Sequence, residues 1–216
     1  MDVLITGANR GIGAALHQAF QACGDTVHGT SRAAANEAGL FQLDVTNSES
    51  VAGLGAAWKD RPLDLLVCNA GIYIDKGQDL GSGYPADAWA DTFAVNVTGV
   101  FLTIQSLLPA LRSARGKVAI LSSRMGSDTL APGGSYIYRA SKAAVLNLGR
   151  NLAADLRGDG IAVGIYHPGW VKTAMGGPGA DVAPETSARD LVARFDELSL
   201  ETTGCYLNHD GATIPF

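Results

Sequence analysis

Residues 3–13 read VLITGANRGIG, an apolar run that passes at once into a glycine-rich turn and then into a helical pattern over 11–23. The apolar run is typical of a buried strand. Gly7 permits a tight turn, Gly11 permits close approach of a ligand, and Gly13 permits tight packing of helix on strand. A helix N-terminus also favours negative charge, so the stretch predicts a strand–turn–helix unit that binds a pyrophosphate.

Outward from this unit, apolar runs alternate with helical patterns to the end of the chain. Several runs are apolar at every position, as expected for a parallel sheet covered by helices on both faces. The pattern predicts an α/β fold, a three-layer doubly wound parallel β-sheet (the Rossmann fold), as a single domain over residues 1–216. The predicted strands are 3–6, 26–29, 39–44, 63–68, 117–122, 161–167 and 205–208, and the predicted helices are 11–23, 48–59, 86–112, 135–157 and 184–200.

Composition narrows the classes of function. The 216 residues are 47% hydrophobic and 17% charged, which is typical of a globular domain. A net charge of −5 without a basic cluster argues against a nucleic-acid partner. We find no apolar run near the roughly 20 residues that span a bilayer, so no membrane partner is expected. The three cysteines are far apart, which favours reduced thiols and a cytoplasmic location.

A second candidate site lies in the helical pattern 135–157, where Tyr138 and Lys142 stand four residues apart. Residues at this spacing leave the same helix face about one turn from each other. A phenol has a pKa of about 10, and a fixed ammonium nearby lowers that pKa towards the working range of a general acid. Taken alone the pair is weak, because a packed tyrosine and a solvated lysine can share the same spacing.

Together these stretches resemble the short-chain dehydrogenase/reductase family over nearly the whole chain. The glycine turn has three residues between its first two glycines, unlike the Gly-x-Gly-x-x-Gly of other dinucleotide-binding enzymes. Asn-Ala-Gly at 69–71, Tyr-x-x-x-Lys at 138–142 and Pro-Gly-x-Val-x-Thr at 168–173 follow in the family's order. SSRMGS at 122–127, YRASK at 138–142 and NHDGATIP at 208–215 look like the C-factor and sniffer group of small carbonyl reductases.

The resemblance implies a catalytic set. Tyr138 would protonate the substrate oxygen, while Lys142 would lower the pKa of that tyrosine and hold the nicotinamide ribose. Ser123 would orient the carbonyl, and Asn96 would hold a water that links Lys142 to solvent. The implied cofactor-binding residues are Gly7, Asn9, Arg10, Gly11, Ile12, Gly13, Arg32, Asp44, Val45, Asn69, Ala70, Gly71, Tyr138, Lys142, Pro168, Gly169, Val171 and Thr173.

Two departures from the family pattern concern single residues. Cys68 replaces the first asparagine of the strand-end motif, and we expect some loss of polar scaffolding rather than of activity. Ser123 and Tyr138 are two residues farther apart than is usual, which a longer loop between them explains. Ser122 is the less favoured alternative, since neighbouring strand residues point to opposite faces.

The nicotinamide cofactor is expected to be NADP(H) rather than NAD(H). The second predicted strand is followed by Ser31 and Arg32, with no acidic residue to hold a ribose 2′-hydroxyl. Arg10 and Arg32 can present forked donors to a 2′-phosphate, at positions where NADP-using members of the family place basic residues. The alternative is a pair of solvated surface arginines.

The function implied is an NADP(H)-dependent oxidoreductase of the carbonyl reductase type (EC 1.1.1.-), which reduces an aldehyde or ketone to an alcohol. A cofactor-binding signalling or sensor protein with little turnover is the alternative. The four histidines are scattered, so no metal is expected. Apolar residues on more than one face of the helices 86–112 and 135–157 suit a homodimer or homotetramer, or simple burial within one chain.

The substrate is least determined by the sequence. A short glycine-rich loop at about 174–184 is expected to cover the substrate and to leave an open pocket that accepts many carbonyls. Tyr136, Trp170 and Met175 are candidate substrate contacts, although each is as well explained by packing.

Overall fold

The computed structural model describes residues 1–33 and 40–216, so residue 39 of the third predicted strand lies outside the described residues. All seven predicted strands are present in the described parts, and their ends differ from the predicted ones by at most two residues. The strands are β1 (Asp2–Ile5), β2 (Thr26–Ser31), β3 (Leu40–Gln42), β4 (Leu65–Cys68), β5 (Lys117–Leu121), β6 (Ala162–His167) and β7 (Tyr206–Asn208). They form one parallel sheet in the order β3-β2-β1-β4-β5-β6-β7.

Helices cover both faces of this sheet, which confirms the three-layer α/β fold. Strand residues alternate between two cores: Leu66 belongs to one apolar cluster, and its neighbours Leu65 and Val67 belong to the other. The helices are α1 (Gly11–Ala22), α2 (Ser48–Ala57), α3 (Ala86–Phe93), α4 (Gly99–Ala114), α5 (Tyr136–Asp155) and α6 (Pro184–Glu197). The helices α2, α4 and α5 contribute to the first cluster, whereas α1 and α6 contribute to the second.

The predicted helix 86–112 is divided by a π-helical turn, Ala94–Thr98, between α3 and α4. The extra residue of such a turn interrupts the regular hydrogen-bond ladder, and π-turns are frequent at functional sites. By length and composition alone, the continuous stretch Ala86–Ala114 could cross a membrane, so the statement that no apolar run of that size exists was wrong. The core helix of a soluble protein has the same properties, and 44% of the most apolar window is buried against the rest of the chain.

The strand order places the site. Strands β2 and β4 lie on opposite sides of β1, so the chain leaves the two central strands in opposite directions. Ligands of doubly wound folds bind in the crevice outside the carboxyl ends of the strands at such a point. The glycine turn follows β1 and the Asn69–Ala70–Gly71 stretch follows β4, so both line this crevice.

Candidate active site

The glycine turn is shaped by backbone contacts that a side chain would prevent. Gly7 has φ +68°, in the left-handed region that favours glycine. A Cβ placed on Gly13 would lie 2.2 Å from the carbonyl oxygen of Gly7 and 2.6 Å from Asn69 Nδ2. Strand, turn and helix therefore pack as closely as the sequence predicts, and the first amides of α1 remain directed at the crevice.

A threonine that the sequence analysis did not select ties the turn to β4. Thr6 Oγ1 accepts hydrogen bonds from the backbone amides of Asn69 and Ala70, both at 3.0 Å. The Asn69 side-chain amide donates back to the carbonyl oxygens of Thr6 and Gly7, at 2.8 and 3.0 Å. Cys68, which lies just before this network, is buried, and burial raises the pKa of its thiol to about 12. The network forms without an asparagine at that position.

Two further predicted segments reach the same crevice. A Cβ on Gly11 would lie 3.4 Å from Thr173 Cγ2, so the segment 168–173 that follows β6 borders the glycine turn. A Cβ on Gly71 would lie 3.3 Å from Asn96 Oδ1 and 3.7 Å from Lys142 Nζ. The absence of a side chain at Gly71 keeps open the space beside Asn96 and Lys142, two of the residues predicted to form the catalytic set.

At the other end of the crevice lie the residues predicted to bind the adenosine part. Arg10 and Arg32 are both exposed, and neither forms an ion pair within residues 1–33 and 40–216. Asp44 Oδ1 accepts hydrogen bonds from the Thr46 amide and hydroxyl at 2.9 and 2.7 Å, and these bonds lower the pKa of Asp44. Of three other residues predicted to bind the cofactor, Asn9 is exposed, Ile12 packs against the second apolar cluster and Val45 is buried.

The two adjacent serines after β5 face different partners. The Ser122 hydroxyl donates to the carbonyl oxygen of Lys142 at 2.9 Å, inside the packing between β5 and α5. The Ser123 side chain lies near the Tyr138 phenol and acts to lower its pKa, and the Ser123 hydroxyl accepts from the Met125 amide at 3.2 Å. The structure therefore brings Ser123, and not Ser122, to the tyrosine.

Burial is the largest influence on the pKa values of Tyr138 and Lys142. It raises the pKa of Tyr138, against a smaller opposing effect of the Ser123 side chain. Burial also lowers the pKa of Lys142 to about 8. Lys142 Nζ donates to the Leu121 carbonyl at 2.8 Å and lies 5.6 Å from the centre of the Tyr138 ring. Burial thus raises the pKa of Tyr138 in the protein without its cofactor, and the lowering of that pKa by Lys142 stays a prediction.

Asn96 lies in the π-helical turn, and both of its side-chain donors are hydrogen-bonded. Its Oδ1 accepts from the Ile72 amide, and its Nδ2 donates to the Ile72 carbonyl, both at 2.9 Å. Nδ2 also donates to Ser141 Oγ at 3.0 Å. These bonds join the loop after β4 to α5, and the role of Asn96 in holding a relay water stays a prediction.

The substrate side is bordered by the loop 168–183 between β6 and α6. The candidate substrate contacts are only partly buried by packing within the chain: Tyr136 is 39% exposed, Trp170 53% and Met175 42%. Trp170 Nε1 donates to the Gly176 carbonyl at 3.0 Å. Lys76, which the sequence analysis did not select, donates to that carbonyl at 2.9 Å from across the crevice. The predicted short loop is thus held at its tip by a cross-crevice bond.

No group of three metal-ligating side chains occurs in the part of the chain that the structure describes. Burial lowers the pKa of His167 to about 4, so its ring is neutral at physiological pH. His209 Nδ1 lies 3.0 Å from Asp190 Oδ2. The absence of a metal remains a prediction.

Comparison with known proteins gives one family. A model described as short chain dehydrogenase matches residues 2–181, which include the glycine turn, Ser123, Tyr138 and Lys142. The C-signal protein of Myxococcus xanthus is 38% identical over 157 residues, covering 72% of this chain and 93% of that protein. This agrees with the resemblance found in the motifs.

Two solved structures are similar over the whole chain. The NADPH-bound carbonyl reductase from chicken fatty liver has a TM-score of 0.90 at 28% identity, covering 100% of this chain and 98% of that one. The carbonyl reductase Sniffer of D. melanogaster also has a TM-score of 0.90 at 28% identity, covering 100% and 99%. The resemblance to the C-factor and sniffer group is therefore confirmed in both sequence and fold.

Proposed function

The chain belongs to the short-chain dehydrogenase family, and on that premise we propose that it is an NADPH-dependent oxidoreductase that reduces an aldehyde or ketone to an alcohol. One observation carries the proposal: a buried tyrosine lies near a buried serine at the crevice beyond the strand ends, with a buried lysine one helical turn away. The carbonyl reductases of the same fold, one of them NADPH-bound, support the reaction class.

The chain's own residues do four things in this reaction. Ser123 donates to the carbonyl oxygen and aims it at the tyrosine, and Tyr138 gives that oxygen its proton as charge develops on it. Lys142 binds the nicotinamide ribose and, once charged, stabilises the phenolate that remains. NADPH, when bound, supplies the hydride for the carbonyl carbon. The turn at Gly7 and Gly11 holds its pyrophosphate against the first amides of α1.

The preference for NADPH is assigned to Arg10 and Arg32. Both arginines are exposed and without an ion pair in residues 1–33 and 40–216, so their guanidinium groups are available to a 2′-phosphate. Titration with NADPH against NADH measures this: we expect a Kd for NADPH at least roughly tenfold lower, a difference that Arg32→Ala largely removes. Equal affinities for the two cofactors would contradict the assignment.

Tyr138→Phe is the direct test of the reaction. With a panel of aldehydes and ketones, the wild type should consume NADPH, and the variant should lose roughly 10²- to 10⁴-fold in kcat. The variant should still bind NADPH, because the ring and its packing remain. Full activity in the variant would exclude Tyr138 as the acid.

The sensor alternative is not favoured, since Ser123, Tyr138 and Lys142 come together in one site. The sensor alternative would be favoured if the wild type bound NADPH and reduced no carbonyl in the panel. A cytoplasmic location, a homodimeric or homotetrameric state and low substrate selectivity remain predictions, and one substrate turned over far faster than all others would count against the last.

A further inference from the structure

The start of helix α5 lacks a cap of its own. Its N-cap residue, Ser135, has φ +49° and makes no side-chain cap. The Ser135 hydroxyl is instead hydrogen-bonded to the hydroxyl of Tyr73. The first amides of a helix have no partner within the helix, so the amides around Tyr138 need an acceptor from elsewhere.

Asp75 supplies that acceptor from a loop 62 residues earlier in the chain. Its Oδ2 accepts from the Ile137 amide at 2.9 Å, and both carboxylate oxygens lie 3.3 Å from the Tyr138 amide nitrogen. The residue is fully buried, and within the described residues it forms no ion pair. The backbone amides and the positive end of the α5 dipole are therefore what compensates its charge.

The rest of the same loop also holds the tyrosine. The Tyr73 ring stacks on the Tyr138 ring, with centroids 4.1 Å apart and planes inclined by 19°. Ile72 is joined through the Asn96 side chain to Ser141, whose hydroxyl donates to the Tyr138 carbonyl at 2.8 Å. The ring, amide and carbonyl of the acid are thus each fixed from this one loop.

We propose that Asp75 is a positioning residue for the general acid: its carboxylate fixes the Tyr138 backbone, and its charge lies buried at the start of the helix that carries the phenol. This inference rests on the proposed function for its catalytic meaning, although the capping contact stands without it. The charge disfavours the phenolate and so keeps the acid in the protonated form that reduction requires. No residue of the glycine turn or of the Tyr-x-x-x-Lys pair performs this role.

Several groups influence the pKa of Tyr138, and their effects must be distinguished from that of Asp75. Burial raises the pKa of Tyr138, the Ser123 side chain lowers it, and Tyr73, Tyr206 and Asp75 raise it through charge. Lys142 Nζ lies 5.6 Å from the ring centre. Only Asp75 can be made neutral without a change of shape, by Asp75→Asn, which leaves the other groups in place.

These contributions give the direction in which the pH profile of kcat/KM should shift when Asp75 is made neutral. Reduction needs the protonated phenol, so kcat/KM falls as the pH rises through the pKa of Tyr138 in the cofactor complex. Asp75→Asn lowers that pKa, and the midpoint of the fall should move to lower pH by roughly 0.5 to 1 unit. A purely structural role would lower the plateau of the profile and leave its midpoint where it was.

The experiment measures kcat/KM against pH for the wild type, Asp75→Asn and Asp75→Ala, together with amide hydrogen exchange of the peptide that contains Ile137 and Tyr138. Asp87→Asn is the matched control, because Asp87 is an acidic residue in the first turn of α3 and accepts from its neighbour Ala88. We expect the midpoint to move only in the Asp75 variants, and faster exchange in Asp75→Ala.

Two results would overturn the inference. An unmoved midpoint in Asp75→Asn would exclude the role of the charge, and wild-type exchange rates in Asp75→Ala would exclude the cap. If the wild type reduces no carbonyl, the proposed function fails, while the exchange measurement still decides whether Asp75 fixes the helix start.

Discussion

The glycine turn and the first turn of α5 are both essential parts of the site, but they are held in different ways. Around the glycine turn, backbone meets backbone: Gly13 packs on Gly7, and Thr6 bonds the amides that follow β4. The first turn of α5 is held by side chains such as Asp75 and Ser141 and by the ring of Tyr73. Close backbone packing requires glycines, which can be recognised in the sequence. Contacts made by side chains from a distant loop produce no comparable sequence pattern.

The largest expected effect comes from a substitution in the glycine turn, which is held by backbone contacts. In Gly13→Ala, the new methyl group would meet the Gly7 carbonyl at 2.2 Å, a contact that only a shift of backbone can relieve. We expect the free energy of unfolding to fall by roughly 3 kcal/mol and NADPH binding to be lost. Chemical denaturation and cofactor titration measure both.

Gly53→Ala in helix α2 is the matched control, because a Cβ there meets nothing within 4 Å. It should raise the free energy of unfolding by roughly 0.5 to 1 kcal/mol. Equal losses in the two variants would show that the close approach of Gly13 to the turn is not what matters.

The next effect separates the two serines after β5. Ser123→Ala removes the hydroxyl that aims the carbonyl, and kcat should fall by roughly 10²- to 10³-fold with little change in stability. Ser122→Ala removes only a hydrogen bond to the Lys142 carbonyl, and should cost roughly 1 kcal/mol of stability with kcat nearly unchanged. Steady-state kinetics and denaturation of both variants give the comparison, and an exchange of the two results would return Ser122 as the catalytic residue.

The smallest effect concerns Lys142 and its dependence on pH. Burial lowers the pKa of this lysine from 10.5 to about 8, so at pH 7 the folded protein contains a buried charge at a cost. Lys142→Met should therefore raise the free energy of unfolding at pH 7, by of the order of 2 kcal/mol. The folded protein gives up that proton near pH 8 and the unfolded chain near 10.5, so the advantage of the variant should shrink across that window.

Lys172→Met is the control for this pH dependence, since Lys172 is exposed and should leave the stability curve almost unchanged. Denaturation of the wild type and both variants between pH 7 and pH 10 is the measurement. An advantage of Lys142→Met that stays constant across this range would show that burial of the charge is not its cause.

Much of this molecule was predictable, and the reasons are local. The strands were predicted from apolar and β-branched runs, and several of these runs are apolar at every position because a strand buried on both faces tolerates few polar residues. Tyr138 and Lys142 were recognisable because one helical turn relates them. Thr6 could have been found from its place beside Gly7, whereas Asp75 and Tyr73 lie in a loop with no periodicity to select them.

The sequence by itself determined the parallel sheet, the glycine turn and the spacing of the catalytic pair, because each depends on neighbouring residues. Tertiary structure alone decided that the phenol is buried, that its pKa is raised, and that a carboxylate from another loop caps its helix. Desolvation and charge act through space, and the groups that set them for Tyr138 lie up to 68 residues away along the chain, at Tyr206. Such effects become visible only when the fold has brought those groups together.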